Sequence, residues 1–215
     1  MEPSTLIRGT SEGMLRLFFT TPPRTGFSPA IFLDRDGVIN ERIQGGYVTD
    51  WKEFRFMEGV ARTLAQLSAL GLPMIVVSNQ AGVGKGLLSV DALVRMTQQF
   101  VAELGKQGAR LDAVYYCPHA PEAHCSCRKP GDALLRQAAE DWRLDLRRSI
   151  LVGDSLTDLQ AARASHCRAV LVAQQNGRED RAGQLGEDCL MVQGAASIAA
   201  GVQHFLREGM HVEKT

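Results

Sequence analysis

Two carboxylates one residue apart stand at the end of a short apolar run. Asp34 and Asp36 follow residues 31–33, which predict a buried strand, and Gly37 comes directly after them. In an open α/β sheet, chemistry gathers just beyond the carboxyl ends of the strands. We predict that Asp34 is a nucleophile and that Asp36 is a general acid and base. Alone, an Asp-x-Asp pair is more often a turn or a helix cap, so partners elsewhere in the chain decide the interpretation.

Polar side chains also follow the next three predicted strands. Ser78 follows residues 74–77, Lys129 follows the strand at 113–116 and a cysteine-rich loop, and Asp154 follows residues 150–152. Four polar strand ends in this order make the turn interpretation a poor one. Together they indicate phosphate chemistry at one edge of a sheet.

Each of these residue types has a place in phosphoryl transfer. A phosphate monoester repels an anionic nucleophile, and Mg²⁺ offsets the repulsion while preferring oxygen ligands. We expect Asp34, Asp154 and the backbone carbonyl of Asp36 to supply those oxygens. Lys129 would hold the phosphoryl oxygens as a point charge, and Ser78 would donate its hydroxyl to them.

The predicted reaction proceeds through an aspartyl-phosphate. Asp34 attacks phosphorus, and Asp36 protonates the leaving alkoxide and later activates the hydrolytic water. A proton donor near neutral pH needs a raised pKa, which we expect neighbouring carboxylates to give Asp36. Asp158 would either orient the metal site or serve as a helix N-cap.

Cysteine and histidine side chains cluster between the third predicted strand and Lys129. Cys117, Cys125 and Cys127 lie within eleven residues of one another, with His119 and His124 between them. Thiolates and imidazole in a compact group suit tetrahedral Zn²⁺, and a closed set of four ligands indicates a structural site. The alternative is a set of free thiols. Such a site would hold the loop and direct the two basic residues after Cys127 at the substrate.

The elements that carry these residues alternate between strand and helix. This alternation predicts an α/β fold with a parallel, doubly wound sheet, in which residues 30–215 form a single domain. Residues 1–29 are expected to be an N-terminal extension or ordered arm, and residues 37–57 a loop or small hairpin. The expected strands and helices are 30–33, 59–70, 74–77, 89–104, 113–116, 132–142, 150–152, 158–164 and 169–172, with a further short strand and helix before residue 215.

Composition limits the classes of partner. The 215 residues contain 24 basic and 24 acidic side chains, which argues against a broad electrostatic grip on nucleic acid or on an anionic membrane. We see no apolar run of the roughly 20 residues that span a bilayer, and no secretory signal. Five cysteines, three of them clustered, favour a metal site in a reducing compartment. We therefore expect a cytoplasmic protein. Separately from composition, we expect a monomer.

Four motifs together resemble those of the haloacid dehalogenase (HAD) phosphatase superfamily. They are Asp34–Gly37, Ser78–Gln80, Lys129 and Gly153-Asp154, and the resemblance spans about residues 30–172. It implies a three-layer, Rossmann-like, mainly parallel sheet without a large cap domain. It also implies the catalytic roles described above.

The zinc loop narrows the resemblance to one subgroup. This subgroup contains D-glycero-D-manno-heptose 1,7-bisphosphate 7-phosphatases and histidinol-phosphatase domains, and it pairs Cys117 with His119, leaving His124 as the alternative ligand. Residues 115–119, 128–130 and 46–48 favour the heptose enzymes. The short gap between His119 and Cys125 is more similar to the histidinol-phosphate branch.

The subgroup also implies where a small sugar phosphate would be held. The expected substrate contacts are Gly46, Tyr47, Asn79, Gln80, Ala81 and Arg128. Ser78 stands where the family usually has threonine. Three alternatives remain at this point: histidinol phosphate as the substrate, a phosphotransferase that uses the same intermediate, and a zinc-stabilised binding module whose enzyme site is silent.

Overall fold

The computed structural model describes residues 6–9, 13–173 and 186–212. Within them, the strands are β1 (Leu6–Gly9), β2 (Leu15–Phe18), β3 (Ile31–Leu33), β4 (Met74–Asn79), β5 (Ala113–Cys117), β6 (Ile150–Gly153), β7 (Arg168–Ala173) and β8 (Cys189–Gln193). They form one sheet in the order β1-β2-β5-β4-β3-β6-β7-β8. The six neighbouring strands β5, β4, β3, β6, β7 and β8 pair in parallel. At one edge of the sheet, β2 pairs antiparallel with β5, and β1 pairs antiparallel with β2. The predicted doubly wound, mainly parallel sheet is confirmed.

Helices cover both faces of this sheet. They are α1 (Val60–Ser68), α2 (Ala81–Gly84), α3 (Val90–Lys106), α4 (Ala133–Trp142), α5 (Leu156–Ala164) and α6 (Ile198–Val212). Ile31 and Leu33 of β3 belong to the core that α1, α3 and α6 cover, whereas Phe32 belongs to the core under α4 and α5. Because successive strand residues point to opposite faces, a strand buried on both faces is apolar throughout. The fold therefore has three layers.

The strand order reverses at β3. From β3 the chain goes to β4 on one side, and later returns to β6 on the other side. A crevice forms where the order reverses, and in such sheets ligands bind there, beyond the carboxyl ends of the strands. Asp34 is the first residue after β3, so the topology itself brings it to this crevice.

The connection between β3 and α1 contains little regular structure. Residues 34–59 contain one three-residue 3₁₀ helix (Trp51–Glu53) and a single antiparallel bridge between Asn40 and Phe56. This matches the expected loop or small hairpin, and no separately folded cap lies within residues 34–59. None of the helices in the described ranges combines the length and hydropathy that a membrane crossing requires.

Some boundaries differ from the expected ones. β4 continues through Ser78 and Asn79, because both still pair with β5. The glycine-rich residues 81–84 form the short helix α2. β2 joins the main sheet next to β5, with Leu17 and Phe18 buried. The division of the chain at residue 29 stays a prediction.

Candidate active site

Asp34 lies in the crevice with its carboxylate directed by backbone and lysine contacts. Its backbone N–H donates to the carbonyl of Val152 in β6 over 2.8 Å. Its Oδ1 accepts from the N–H of Arg35 over 2.7 Å and lies 3.1 Å from Lys129 Nζ. Asp34 is buried. A buried carboxylate with this fixed orientation has the geometry that a nucleophile requires.

Lys129 is a buried cation between two carboxylates. Its ammonium lies 2.5 Å from Asp158 Oδ1 and 3.1 Å from Asp34 Oδ1, and it donates to the carbonyl of Val77 over 2.9 Å. Burial alone would lower the pKa of Lys129, but Asp158 and Asp34 outweigh it and raise that pKa. The lysine therefore stays charged and can hold phosphoryl oxygens.

Asp158 has a role that the sequence left undecided. The N-cap of α5 is Ser155, and Asp158 is the third helical residue, where its Oδ2 accepts from the N–H and the hydroxyl of Ser155 over 3.1 and 2.5 Å. Its other oxygen pairs with Lys129. Asp158 thus uses a capping box to hold the lysine in place. Its spacing, four residues after Asp154, was the signal in the sequence.

Asp36 is held ionised, contrary to the expectation of a raised pKa. Its carboxylate accepts from Arg35 Nη2 over 2.8 and 3.0 Å, from Asn40 over 2.8 Å and from Gln80 over 3.0 Å. Burial works to raise the pKa of Asp36, but Arg35 and these hydrogen bonds lower it below its ordinary value. The expectation was wrong because the adjacent arginine dominates the neighbouring carboxylates.

The raised pKa values belong to two other carboxyl groups. Burial is the largest cause of the upward shift at Asp34, which Lys129 opposes and Asp158 reinforces. Burial, then the charge of Asp34, raises the pKa of Asp154 to about 7. Acids crowded in this way favour a bound cation.

A cavity of about 400 Å³ opens over these side chains. Asp34, Asp36 and Lys129 lie in its wall, together with all six predicted substrate contacts: Gly46, Tyr47, Asn79, Gln80, Ala81 and Arg128. Asn79 exchanges hydrogen bonds with the backbone of Lys129 over 3.0 and 3.1 Å, and this joins β4 to the loop after β5. Gln80 also donates to Ser78 Oγ over 3.3 Å, so its amide hydrogen-bonds both the Asp36 carboxylate and the Ser78 hydroxyl.

A larger cavity of about 560 Å³ lies apart from this chemistry, at the start of β6 and β7. Apolar and arginine side chains line it, including Leu72, Phe205 and Arg147, and no carboxylate among the described residues does. We therefore place the candidate active site in the smaller, polar cavity at the carboxyl ends of the strands.

Cys117, His119, Cys125 and Cys127 come together at the end of β5. The Sγ atoms of Cys117 and Cys127 each lie 3.5 Å from that of Cys125, and His119 Nδ1 lies 3.2 and 3.6 Å from Cys127 and Cys117. A hydrogen bond from Cys127 lowers the pKa of the Cys117 thiol to about 5, whereas that bond and burial raise the pKa of Cys127. The exposed His124 follows a 3₁₀ helix and lies outside this cluster.

Comparison with known proteins gives one consistent family. A model of HAD-hydrolase-like proteins matches residues 126–192. The heptose-1,7-bisphosphate 7-phosphatase of Photorhabdus laumondii is 38% identical over 141 residues, which cover 62% of this chain and 74% of that protein. The one from Helicobacter pylori is 36% identical over 148 residues, or 68% and 84%. The chain belongs to the heptose-1,7-bisphosphate 7-phosphatase family of HAD hydrolases.

Solved structures of this family agree with the fold. The D,D-heptose 1,7-bisphosphate phosphatase of B. bronchiseptica, complexed with magnesium and phosphate, has a TM-score of 0.75 and 32% identity, covering 84% of this chain and 99% of that one. The Burkholderia thailandensis enzyme has a TM-score of 0.61 and 27% identity, over 81% and 97%. As a member of the family, the chain is a phosphomonoester hydrolase.

Phosphatases of the HAD family use Mg²⁺, and the residues of this chain fit the ion. Carboxylate oxygens of Asp34, Asp154 and Asp158 lie within 4.8 Å of one another. Gly37 has φ +88°, and a Cβ on it would collide with the Asp154 carboxylate, so only glycine fits beside that group. These hard oxygen donors suit Mg²⁺.

The Cys/His cluster could hold zinc. Tetrahedral Zn²⁺ with Zn–S bonds of about 2.3 Å requires sulfurs about 3.8 Å apart, close to the distances observed. Gly84 of α2 packs directly on the backbone of His119 and Ala120, where a Cβ would clash. The cluster therefore ties together the end of β5, α2 and the chain leading to Lys129.

Arg42 is a residue of this site that sequence reasoning missed. Its Nη2 lies 2.5 Å from Asp154 Oδ1, 3.3 Å from the carbonyl oxygen of Asp36 and 4.0 Å from Asp34 Oδ2. It belongs to no motif, and it precedes the Gly-Gly-Tyr segment in a connection without periodicity. No signal in the chain indicated it.

Proposed function

We propose that this chain hydrolyses the 7-phosphate of D-glycero-β-D-manno-heptose 1,7-bisphosphate through an aspartyl-phosphate on Asp34. The observation that carries the proposal is the position of Asp34, whose carboxylate lies 3.1 Å from Lys129 Nζ in the polar cavity. The names of the relatives support the substrate.

Two displacements at phosphorus make up the reaction. An Asp34 oxygen attacks phosphorus, the bond to the sugar O7 breaks, and Asp36 gives that oxygen a proton. Water then attacks phosphorus, Asp36 takes a proton from it, and the bond to Asp34 breaks to release phosphate. The ionised resting state of Asp36 suits the second step, and the arriving phosphate anion would raise its pKa for the first.

Mg²⁺ and zinc have different places in this proposal. Asp34, Asp154 and the backbone carbonyl of Asp36 would hold Mg²⁺, which, when bound, offsets the repulsion between the phosphate and Asp34. Cys117, His119, Cys125 and Cys127 would hold a structural zinc ion. The five cysteines form no disulfide, which fits the expected reducing, cytoplasmic compartment.

Substrate selection would rest on the cavity wall. Gly46, Tyr47, Asn79, Gln80, Ala81 and Arg128 would contact the sugar and its second phosphate. Histidinol phosphate is the second candidate substrate, favoured by the short segment between His119 and Cys125. It lacks a second phosphate, so it would use fewer of the polar contacts in this cavity.

The test is a comparison of kcat/KM on both anomers of the heptose bisphosphate and on histidinol phosphate, with and without Mg²⁺. We expect the highest value for the β-anomer, dependence on Mg²⁺, and no phosphate release by Asp34→Asn. Asp91→Asn, on the exposed first turn of α3, is the matched control. A preference for histidinol phosphate would overturn the substrate, and turnover by Asp34→Asn would overturn the intermediate.

A further inference from the structure

The Arg42 guanidinium lies against the same three groups that are proposed to hold Mg²⁺. Arg42 Nη2 contacts Asp154 Oδ1 at 2.5 Å, the Asp36 carbonyl oxygen at 3.3 Å and Asp34 Oδ2 at 4.0 Å. These are the groups that would also bind the metal ion. One cation of the chain itself therefore lies where a divalent cation would be held.

The two cations exclude each other. Mg²⁺ requires oxygen ligands at about 2.0–2.1 Å, so an ion held by these three groups would lie close to the guanidinium and compete with it for their oxygens. Two positive charges at that separation also repel strongly in a buried site. Asp34 and Asp154 are buried, so the site needs one of the two cations to offset its negative charge.

Arg42 is free to leave, whereas the other cation of the site is not. The side chain of Arg42 is 39% exposed, and it belongs to residues 41–46, which are exposed and contain neither helix nor strand. Lys129 is buried, with its ammonium fixed by Asp34, Asp158 and the Val77 carbonyl. Moving Arg42 disturbs little packing, so an incoming ion would displace it rather than Lys129.

We propose that Arg42 is a built-in competitor of the divalent cation and thereby sets the affinity of the phosphatase for Mg²⁺. In the absence of the ion, its guanidinium neutralises Asp154 and Asp34. Binding of the ion breaks these contacts and turns the side chain toward the substrate cavity, whose wall it already forms. The inference rests on the proposed magnesium site, but not on the identity of the sugar phosphate.

Calorimetric titration with Mg²⁺ alone tests the competition without any substrate. The protein is dialysed free of Mg²⁺ without a chelator, which leaves metal held by the cysteine cluster in place. A pH of about 8.5 keeps protons from replacing the guanidinium on the carboxylates. Arg42→Gln removes the charge, Arg42→Lys keeps it without the planar fork, and Arg95→Gln, exposed on α3, is the matched control.

We expect Arg42→Gln to bind Mg²⁺ roughly ten- to a hundredfold more tightly than the unmodified protein. That range corresponds to a charge-assisted hydrogen bond that no longer has to be broken. Arg42→Lys should fall between the two, and Arg95→Gln should match the unmodified protein. Equal or weaker binding by Arg42→Gln would overturn the competition. If the unmodified protein and the Arg42→Gln variant both fail to bind Mg²⁺, the magnesium site itself is refuted.

Thermal unfolding separates competition from a merely structural role. Without Mg²⁺, Arg42→Gln should melt at a lower temperature, because the buried carboxylates lose their counter-charge. With saturating Mg²⁺ the difference from the unmodified protein should disappear, because the ion replaces the guanidinium in both. A difference of the same size under both conditions, or none under either, would contradict the proposal.

Discussion

Asp36 and Arg35 form a pair in which the arginine fixes the proposed acid and base. Arg35 is one of the largest fully buried side chains, and it holds Asp36 with its Nη2 at 2.8 and 3.0 Å. Gln80 and Asn40 complete the set of donors. The carboxylate thus keeps one orientation and a lowered pKa, so it is ready to accept a proton from water.

Replacing this carboxylate should slow the reaction without preventing the protein from folding. Asp36→Asn retains hydrogen-bonding capacity but cannot transfer a proton, so we expect kcat to fall about 10²- to 10⁴-fold. Steady-state kinetics on the heptose bisphosphate measure the fall, and circular dichroism checks the fold. An unchanged kcat in a folded variant would show that Asp36 is not the acid and base.

The pKa of Asp154 predicts how Mg²⁺ affinity depends on pH. Burial and Asp34 raise it from its ordinary value of 3.8 to about 7, and Mg²⁺ binds only the ionised form. Affinity should therefore fall as the pH drops through 7, approaching roughly tenfold per pH unit. Titrations at pH 6, 7 and 8 measure it, and an affinity that stays constant over this range would contradict the assignment.

The raised pKa of Asp154 also affects the stability of the metal-free protein, which should fall as the pH rises, whereas the affinity for Mg²⁺ rises. A carboxyl group whose pKa is raised by folding binds protons more tightly in the folded state than in the unfolded state. Its contribution to the free energy of unfolding is greatest below the ordinary value of 3.8 and is lost as the pH rises to about 7. Mg²⁺ should offset this loss above that pH.

At the scale of elements, the loop after β5 links the cysteine cluster to Lys129, the proposed catalytic lysine. Cys117 ends β5, Cys127 is buried, and Lys129 follows two residues later. Gly84 of α2 lies against this loop at His119 and Ala120. Holding the loop at the cluster therefore fixes the direction of Lys129 and of the neighbouring Arg128.

Replacing one cysteine of the cluster should lose the zinc ion and leave Lys129 without its fixed position. We expect the purified protein to contain about one zinc ion per chain, and Cys125→Ser to lose it together with most of its kcat/KM. Cys167→Ala is the control, because this buried thiol lies outside the cluster and should leave the zinc content unchanged. Elemental analysis measures the zinc content of both variants, and steady-state kinetics measure their kcat/KM. Zinc-free unmodified protein with full activity would refute the structural zinc.

The placement of the candidate catalytic residues could be predicted because topology determines it. Asp34, Lys129 and Asp154 each follow a parallel strand, and the carboxyl ends of such strands meet at one edge. The lowered pKa of Asp36 depends on how Arg35 folds back, and Arg42 depends on the path of an irregular connection. Neither has a periodic signal, so neither could be predicted.

At the scale of the whole molecule, the strand order places the candidate active site at the middle of the sheet and the amino-terminal strands at one edge. The reversal at β3 brings Asp34 between β4 and β6. β2 extends the sheet beyond β5, and three strands (β5, β4 and β3) separate it from β6. The strand β2 was not predicted, because its four residues have no clear periodicity. Its partner β5 lies about a hundred residues later in the chain, so no local pattern indicates the pairing.

β2 should contribute to the stability of the whole domain. Phe18 is buried, stacks on Trp142 at a centroid distance of 5.9 Å and meets the edge of Tyr115. We expect Phe18→Ala to lower the free energy of unfolding by about 3 kcal/mol. Phe27→Ala, at a side chain 71% exposed, should change it by less than about 0.5 kcal/mol. Urea unfolding of both variants measures the difference.

An equal, small change in the two variants would support treating residues 1–29 as a separable extension. A large change for Phe18→Ala alone would show that the stable domain begins before residue 30. The predicted boundary at residue 29 would then have to move toward the amino terminus, since Phe18 would be part of the folding unit.

Chemical trapping of the intermediate tests the central claim most directly. Enzyme quenched during turnover with Mg²⁺ and heptose bisphosphate is treated with borohydride, which reduces an acyl phosphate to an alcohol. Tandem mass spectrometry should find homoserine at position 34, only when substrate is present, and unmodified aspartate at positions 36 and 154. Turnover without reduction at Asp34, or reduction at another carboxylate, would contradict nucleophilic catalysis by Asp34.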